Sequence, residues 1–215
     1  MSARSPYRSA GIALVIGGVI STITSITSSL AGDPSTPLGY WSSVFDLIGG
    51  ILVLASIGTY YGTFARKGGV LGGVGYLLLF SAGALLAIGG NVMSLVVFPW
   101  IAQAAPNLAN SAPPQSVLNF FLFGQVLLLI GGLAFGAAIL LARAPERGAA
   151  ILLIVAVLVS FIGQILNDVA SLGDIGSAVV TLALAWMGYS LMTRRAVEMT
   201  RATDRQTVVG AQAHA

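Results

Sequence analysis

The segment AAILLIVAVLVSFIGQILNDVASLGD, residues 149–174, decides the fold class. Ala149 to Val159 contains nothing polar, and such a run belongs in a hydrocarbon medium. From Ser160 onward a polar stripe is added. Ser160, Gln164, Asn167, Asp168 and Ser171 recur at helical spacing and share one face. A membrane helix that gains a polar stripe and then an acid as it reaches the interface is the simplest reading.

Composition extends this reading to the whole chain. Only 8% of its 215 residues are charged and 56% are hydrophobic, against about 25% charged in a soluble domain. Too few polar residues exist to cover a water-facing surface. Spans are expected at about 9–31, 44–65, 70–98, 117–142, 149–168 and 175–193, against the roughly 20 helical residues a bilayer core requires; the third is longer than a straight crossing needs and is expected to tilt or protrude. The fold class is therefore all-α, a polytopic membrane helical bundle of six transmembrane helices, with residues 1–195 as one domain. Residues 196–215 are expected to extend the last helix and fray into a partly disordered tail. Arg4, Arg8 and Ser29-Leu30-Ala31 would also suit a cleavable leader, but the first run is long enough to be a retained span.

Orientation follows from charge. With six spans, Arg4, Arg8, Arg66, Lys67, Arg143, Arg147, Arg194, Arg195, Arg201 and Arg205, which are all of the Lys and Arg, fall on one side. The positive-inside rule makes that side, and both termini, cytoplasmic. Asp33, Asp46, Asp168 and Asp174 fall on the other. A plasma-membrane protein of a bacterial inner membrane is expected. The net charge of +3 does not imply nucleic acid, because the basic residues sit at membrane edges.

The connecting segments are read from their breakers. Ser43-Val-Phe-Asp46 suits a capping-box start for the second helix, with Pro37 left in the preceding loop. Pro99 is expected to end the third span, and residues 100–116, with Pro106, Pro113 and Pro114, to lie as a loop on the membrane surface. Tyr60, Tyr61, Trp186 and Tyr189 suit the interface on the basic side. The pairs Gly58/Gly62, Gly68/Gly72 and Gly132/Gly136 suit close helix packing.

The candidate functional residues are the polar side chains of the non-basic half: Asp168, Asn167, Gln164, Asn91, Gln125, Asp46, Ser25 and Ser28, with Asn119 and the other hydroxyls of the first span. Polar groups in lipid turn towards one another or towards water, so spans one to five are expected to enclose an outward-facing polar cavity. Asp168 is the leading candidate, because it lies at a helix C-terminus where the dipole disfavours an anion and no cation is on its side. Asp46 and Asp174 are read as caps at helix N-termini.

Several chemistries are set aside. There is no cysteine, and the only histidine is His214 in the tail, which removes thiolate, Ser–His and bis-histidine haem chemistry. No cofactor, metal site or enzymatic activity is expected. The expected partners are the lipid bilayer and either a second copy or another membrane protein. Binding of a small molecule or cation as a transport component is the leading reading. An accessory subunit of a larger complex is the alternative, with Gly58 and Gly62 as an uncovered small-residue stripe.

Tyr7-Arg-Ser-Ala-Gly11, Gly132-Leu-Ala-Phe-Gly136 with Leu140-Leu-Ala-Arg143, and Arg147-Gly-Ala-Ala-Ile-Leu-Leu-Ile154 resemble a group of six-span bacterial membrane proteins known as a domain of unknown function. The likeness covers about residues 7–193 and is architectural. It implies a six-span fold and carries no activity.

Overall fold

A computed structural model describes residues 5–31, 36–109, 113–142, 146–165 and 170–212. Every regular element among them is helical. Six stretches are long and apolar enough to cross a membrane. Their helices are α1 (Ser5–Ala31), α2 (Pro37–Gly62), α3 (Ala65–Ala104), α4 (Gln115–Leu141), α5 (Arg147–Ile165) and α6 (Ala170–Gln212). The chain is thus a multi-pass membrane bundle.

Successive helices run antiparallel, and α6 returns to α1. A side chain at Gly17 or Gly49 would collide with the facing helix across α1 and α2, and one at Gly18 or Gly188 would do so across α1 and α6. The same holds for Gly75 and Gly131 between α3 and α4. A Cβ at Gly75 would lie 2.5 Å from Phe135 N, and one at Gly131 2.5 Å from Leu79 N. Lipid supplies no hydrophobic drive between helices, so such backbone approach is what holds membrane helices together. The result is a ring, α1 through α6, with each helix against its chain neighbours and the last against the first.

The antiparallel course gathers Arg8, Arg66, Lys67 and Arg147 at one end of the bundle. An aromatic cluster lies beneath them. Tyr61 stacks on Tyr76 with ring centroids 5.0 Å apart, and Phe64 meets Phe135 edge-on at 5.5 Å. Tyr60, expected at the interface, is instead 2% exposed and packed against Phe64 and Phe135. It belongs to the core because α2 turns that face towards α4. Trp186 and Tyr189 are exposed on the bundle surface.

Helix boundaries depart from the sequence reading at three places. α2 begins at Pro37, and Thr36 Oγ1 accepts the Gly39 N–H at 3.1 Å. Proline suits the first helical turn, where its missing N–H is not needed. Asp46 therefore lies well inside the helix, about 14 Å along its axis from Pro37, and does not cap it. Pro99 does not end α3. Helix continues to Ala104, and a short turn follows at Pro106–Ala109, so the uncharged stretch after Trp100 is partly helical. Pro99 stands just after a widened turn at Met93–Val97, where a lost backbone donor is tolerated. Gly69 breaks α3 near its start with φ 56° and ψ −152°, a conformation open only to glycine.

Candidate functional site

Asp46 is the polar centre of the bundle. Its Oδ1 accepts from Thr24 Oγ1 of α1 at 3.1 Å. Its Oδ2 accepts from Asn91 Nδ2 of α3 at 2.7 Å. One carboxylate thus joins three helices through two neutral donors. The same Asn91 amide also reaches back to Ala87 O at 2.6 Å. Asn91 is 9% exposed, so it is sealed in the wall.

Local structure explains how Asn91 is aimed. It sits in one turn of α-helix, Gly90–Val92, between two π-helical turns, Ala84–Gly89 and Met93–Val97. The Gly90 N–H is shared between Leu85 O and Leu86 O, and the Phe98 N–H reaches Met93 O. Widened turns are rare in helices and recur at functional sites. Here the Ala87 carbonyl, within the first widened turn, takes the Asn91 amide.

A cavity of about 240 Å³ opens beside Asp46. Its polar wall is Ser21 and Ser25 of α1, Asp46 of α2, Gln125 of α4, and Ser177 and Thr181 of α6. Towards the basic end of the bundle it becomes apolar, with Val53, Ile57, Leu79, Leu128 and Leu184. Among the described residues, no lysine or arginine borders it. Among the described residues, no three His, Asp or Glu side chains come together. Gln125 Oε1 is sealed from solvent and accepts no hydrogen bond among the described residues.

The polar residues singled out in the sequence divide into three groups. Asp46, Asn91, Gln125 and Ser25 come together at this cavity or its wall. Gln164 and Ser28 do not. Gln164 is exposed beside Gly173, and Ser28 is exposed and donates to Ser25 O at 3.1 Å. Asn119 is exposed and accepts from Gln115 Nε2 at 2.9 Å. Asn167 and Asp168 lie outside the described residues. The helices around the cavity also differ from expectation: α5 contributes nothing to the wall and α6 does. Ser160, the first residue of the α5 stripe, is fully buried against α6, where its hydroxyl meets that of Ser177 at 3.1 Å.

Ser177 and Thr181 were absent from the sequence reading. Their signal, two hydroxyls four residues apart on one helix face, is present but weak. It becomes informative only when α6 closes on α1, where Thr181 and Thr22 hydroxyls meet at 2.8 Å. The glycine pairs also separate. Gly132 and Gly136 face Val157 and Ile154 of α5, Gly72 lies against Tyr61 and Ala138, Gly68 against Phe64, and Gly58 under the Tyr76 hydroxyl, whereas nothing lies within 4 Å of a side chain at Gly62.

No family model, no curated protein and no solved structure matches this chain. The six-span architecture therefore stands without support for any particular family.

Proposed function

We propose that this chain is a bacterial inner-membrane protein that binds a small molecule within its bundle, as a component of transport across that membrane. The observation that carries the reading is the Asp46 carboxylate, set among neutral donors inside a membrane bundle and bordering a cavity shared by five helices. Ionisable groups within membrane segments are costly, and they mark ligand and ion pathways. Interhelical hydrogen bonding alone needs only a neutral side chain and no cavity beside it.

The orientation proposed here puts Arg8, Arg66, Lys67 and Arg147 in the cytoplasm. The polar end of the cavity then faces outward, and its apolar end lies deeper. Of the two glycines that motivate the accessory-subunit alternative, Gly58 is covered by Tyr76 and Gly62 stands open.

Native mass spectrometry of protein released from lipid nanodiscs tests the proposal. A co-released small molecule, retained by wild type and lost in Asp46→Asn, is expected. Release of wild type with only lipid or a stoichiometric protein partner would count against it.

A further inference from the structure

Resting on the binding reading just given, we infer that the ligand is a small monovalent organic cation, a protonated amine on a short apolar body, with its ammonium at Asp46. The cavity wall is built largely of acceptors. Each hydroxyl has one proton, and of the four on the wall those of Ser25, Ser177 and Thr181 are already committed within the protein, Ser21 being the fourth. Ser25 Oγ donates to Ser21 O at 2.8 Å. Ser177 Oγ has Gly173 O at 3.0 Å and the Ser160 hydroxyl at 3.1 Å as its possible acceptors. Thr181 Oγ1 has Ala178 O at 2.9 Å, with Thr22 beside it. This back-bonding is the usual state of hydroxyls within helices. What these residues offer an incoming molecule is lone pairs.

Asp46 offers more of the same. An ionised carboxylate has about four acceptor positions, and among the described residues Thr24 and Asn91 are the donors that meet it. Gln125 borders the cavity with an amide oxygen that has no donor among the described residues. Its terminal torsion is soft, so a modest rotation brings that oxygen to a donor in the cavity. An ammonium is the complementary group, with positive charge, N–H donors and no acceptor.

The rest of the cavity sets the body of the ligand. Among the described residues, no cation borders the site to receive an anion. A divalent metal is normally held by several oxygen ligands, commonly more than one of them charged, and among the described residues Asp46 is the single carboxylate bordering the cavity. A bare monovalent ion would leave the apolar end, from Val53 and Ile57 to Leu128 and Leu184, without a role. The volume, about 240 Å³, is below the roughly 300–1,000 Å³ of drug-sized sites. A short aliphatic or single-ring body matches it.

The test uses the full chain in nanodiscs and three probes of one shape: benzylammonium, benzyl alcohol and benzoate. Binding is read by calorimetry for wild type and Asp46→Asn. Benzylammonium should bind wild type about ten- to a hundredfold more tightly than benzyl alcohol, the range given by a hydrogen bond to a charged group, and benzoate should not bind. In Asp46→Asn the amine should fall to the level of the alcohol, and sodium should not compete in wild type. Equal binding of amine and alcohol, unchanged by the substitution, would overturn the ligand class and leave the cavity as a neutral binding site. Sodium displacing the amine stoichiometrically would overturn it in favour of an inorganic ion. Binding of none of the three probes to wild type would overturn both this inference and the binding reading. The wild-type series decides the matter even where the Asn variant fails to fold.

Discussion

Replacing Gly75 by alanine should weaken the bundle measurably, while the same change at Gly62 should not. A Cβ at Gly75 meets Phe135 N at 2.5 Å, Phe135 Cα at 2.8 Å and the Ala134 carbonyl carbon at 2.9 Å. All three are backbone atoms, so no side chain can swing aside. Ordinary contact begins near 3.4 Å, so α3 and α4 must separate locally by nearly 1 Å (3.4 − 2.5). A gap of 0.5–1 Å forfeits about a quarter to a half of each dispersion contact along the seam. Overpacking of this kind costs about 1–3 kcal/mol, and contact with backbone puts it in the upper half. Alanine recovers about 1 kcal/mol through helix propensity. The expected net loss is about 1–2 kcal/mol. Nothing lies within 4 Å of a side chain at Gly62, so Gly62→Ala should be neutral or stabilising by up to about 1 kcal/mol. Reversible unfolding in mixed micelles with increasing SDS gives both values. A Gly75→Ala variant as stable as Gly62→Ala would refute the backbone-contact account of the α3–α4 seam.

Further outcomes follow from the site and the turns. Asn91→Leu removes one donor from Asp46 and should cost about 1–2 kcal/mol in the same unfolding assay, the upper range for membrane hydrogen bonds, whereas Asn119→Ala, on the bundle surface, should shift stability by less than about 0.5 kcal/mol. Gln125→Leu removes an amide oxygen that lacks a donor and should be neutral to stabilising by about 1 kcal/mol, while benzylammonium affinity measured by calorimetry falls. Gly69→Ala forces a side chain into a glycine-only conformation and should cost about 1–3 kcal/mol, visible as a lower unfolding midpoint. Single cysteines at Lys67 and at Leu38, in a chain that has none of its own, should be labelled from opposite faces of an intact membrane by an impermeant maleimide, with Leu38→Cys reacting from outside.

The sequence carried the span count and the membrane class, because both rest on run length and charge content and hardly on packing. It puts Asp168, which lies outside the described residues, first and gives Asp46 only a capping role. Asp46 looked like a cap, since Ser43 three residues before it imitates a capping box. The competing signal, Thr36 followed by Pro37, also suits a loop, although proline at the first helical position marks a start. The two π turns around Asn91 left no trace in the residues, because the widening is in the hydrogen bonds, as at Gly90 and Phe98. The contribution of α6 to the wall was hidden for a different reason. Ser177 and Thr181 face inward only because the ring closes through Gly18 and Gly188, a tertiary fact with no local signature. Pro99 shows the limit of breaker residues, since a widened turn before it lets the helix continue.

The most direct test of the central claim, an acceptor-lined cavity made electronegative by Asp46 and open towards the outside, is the modification of a cysteine at Ser25 by small thiosulfonate reagents of opposite charge. Ser25 borders the cavity beside Asp46, and no native thiol competes. Added from outside, the cationic reagent should react with Ser25→Cys at least about tenfold faster than the anionic one, relative to a free thiol, consistent with electrostatic focusing in a cleft. That preference should collapse when Asp46→Asn is added. Equal rates for both charges with Asp46 intact, or no reaction with either, would contradict the account.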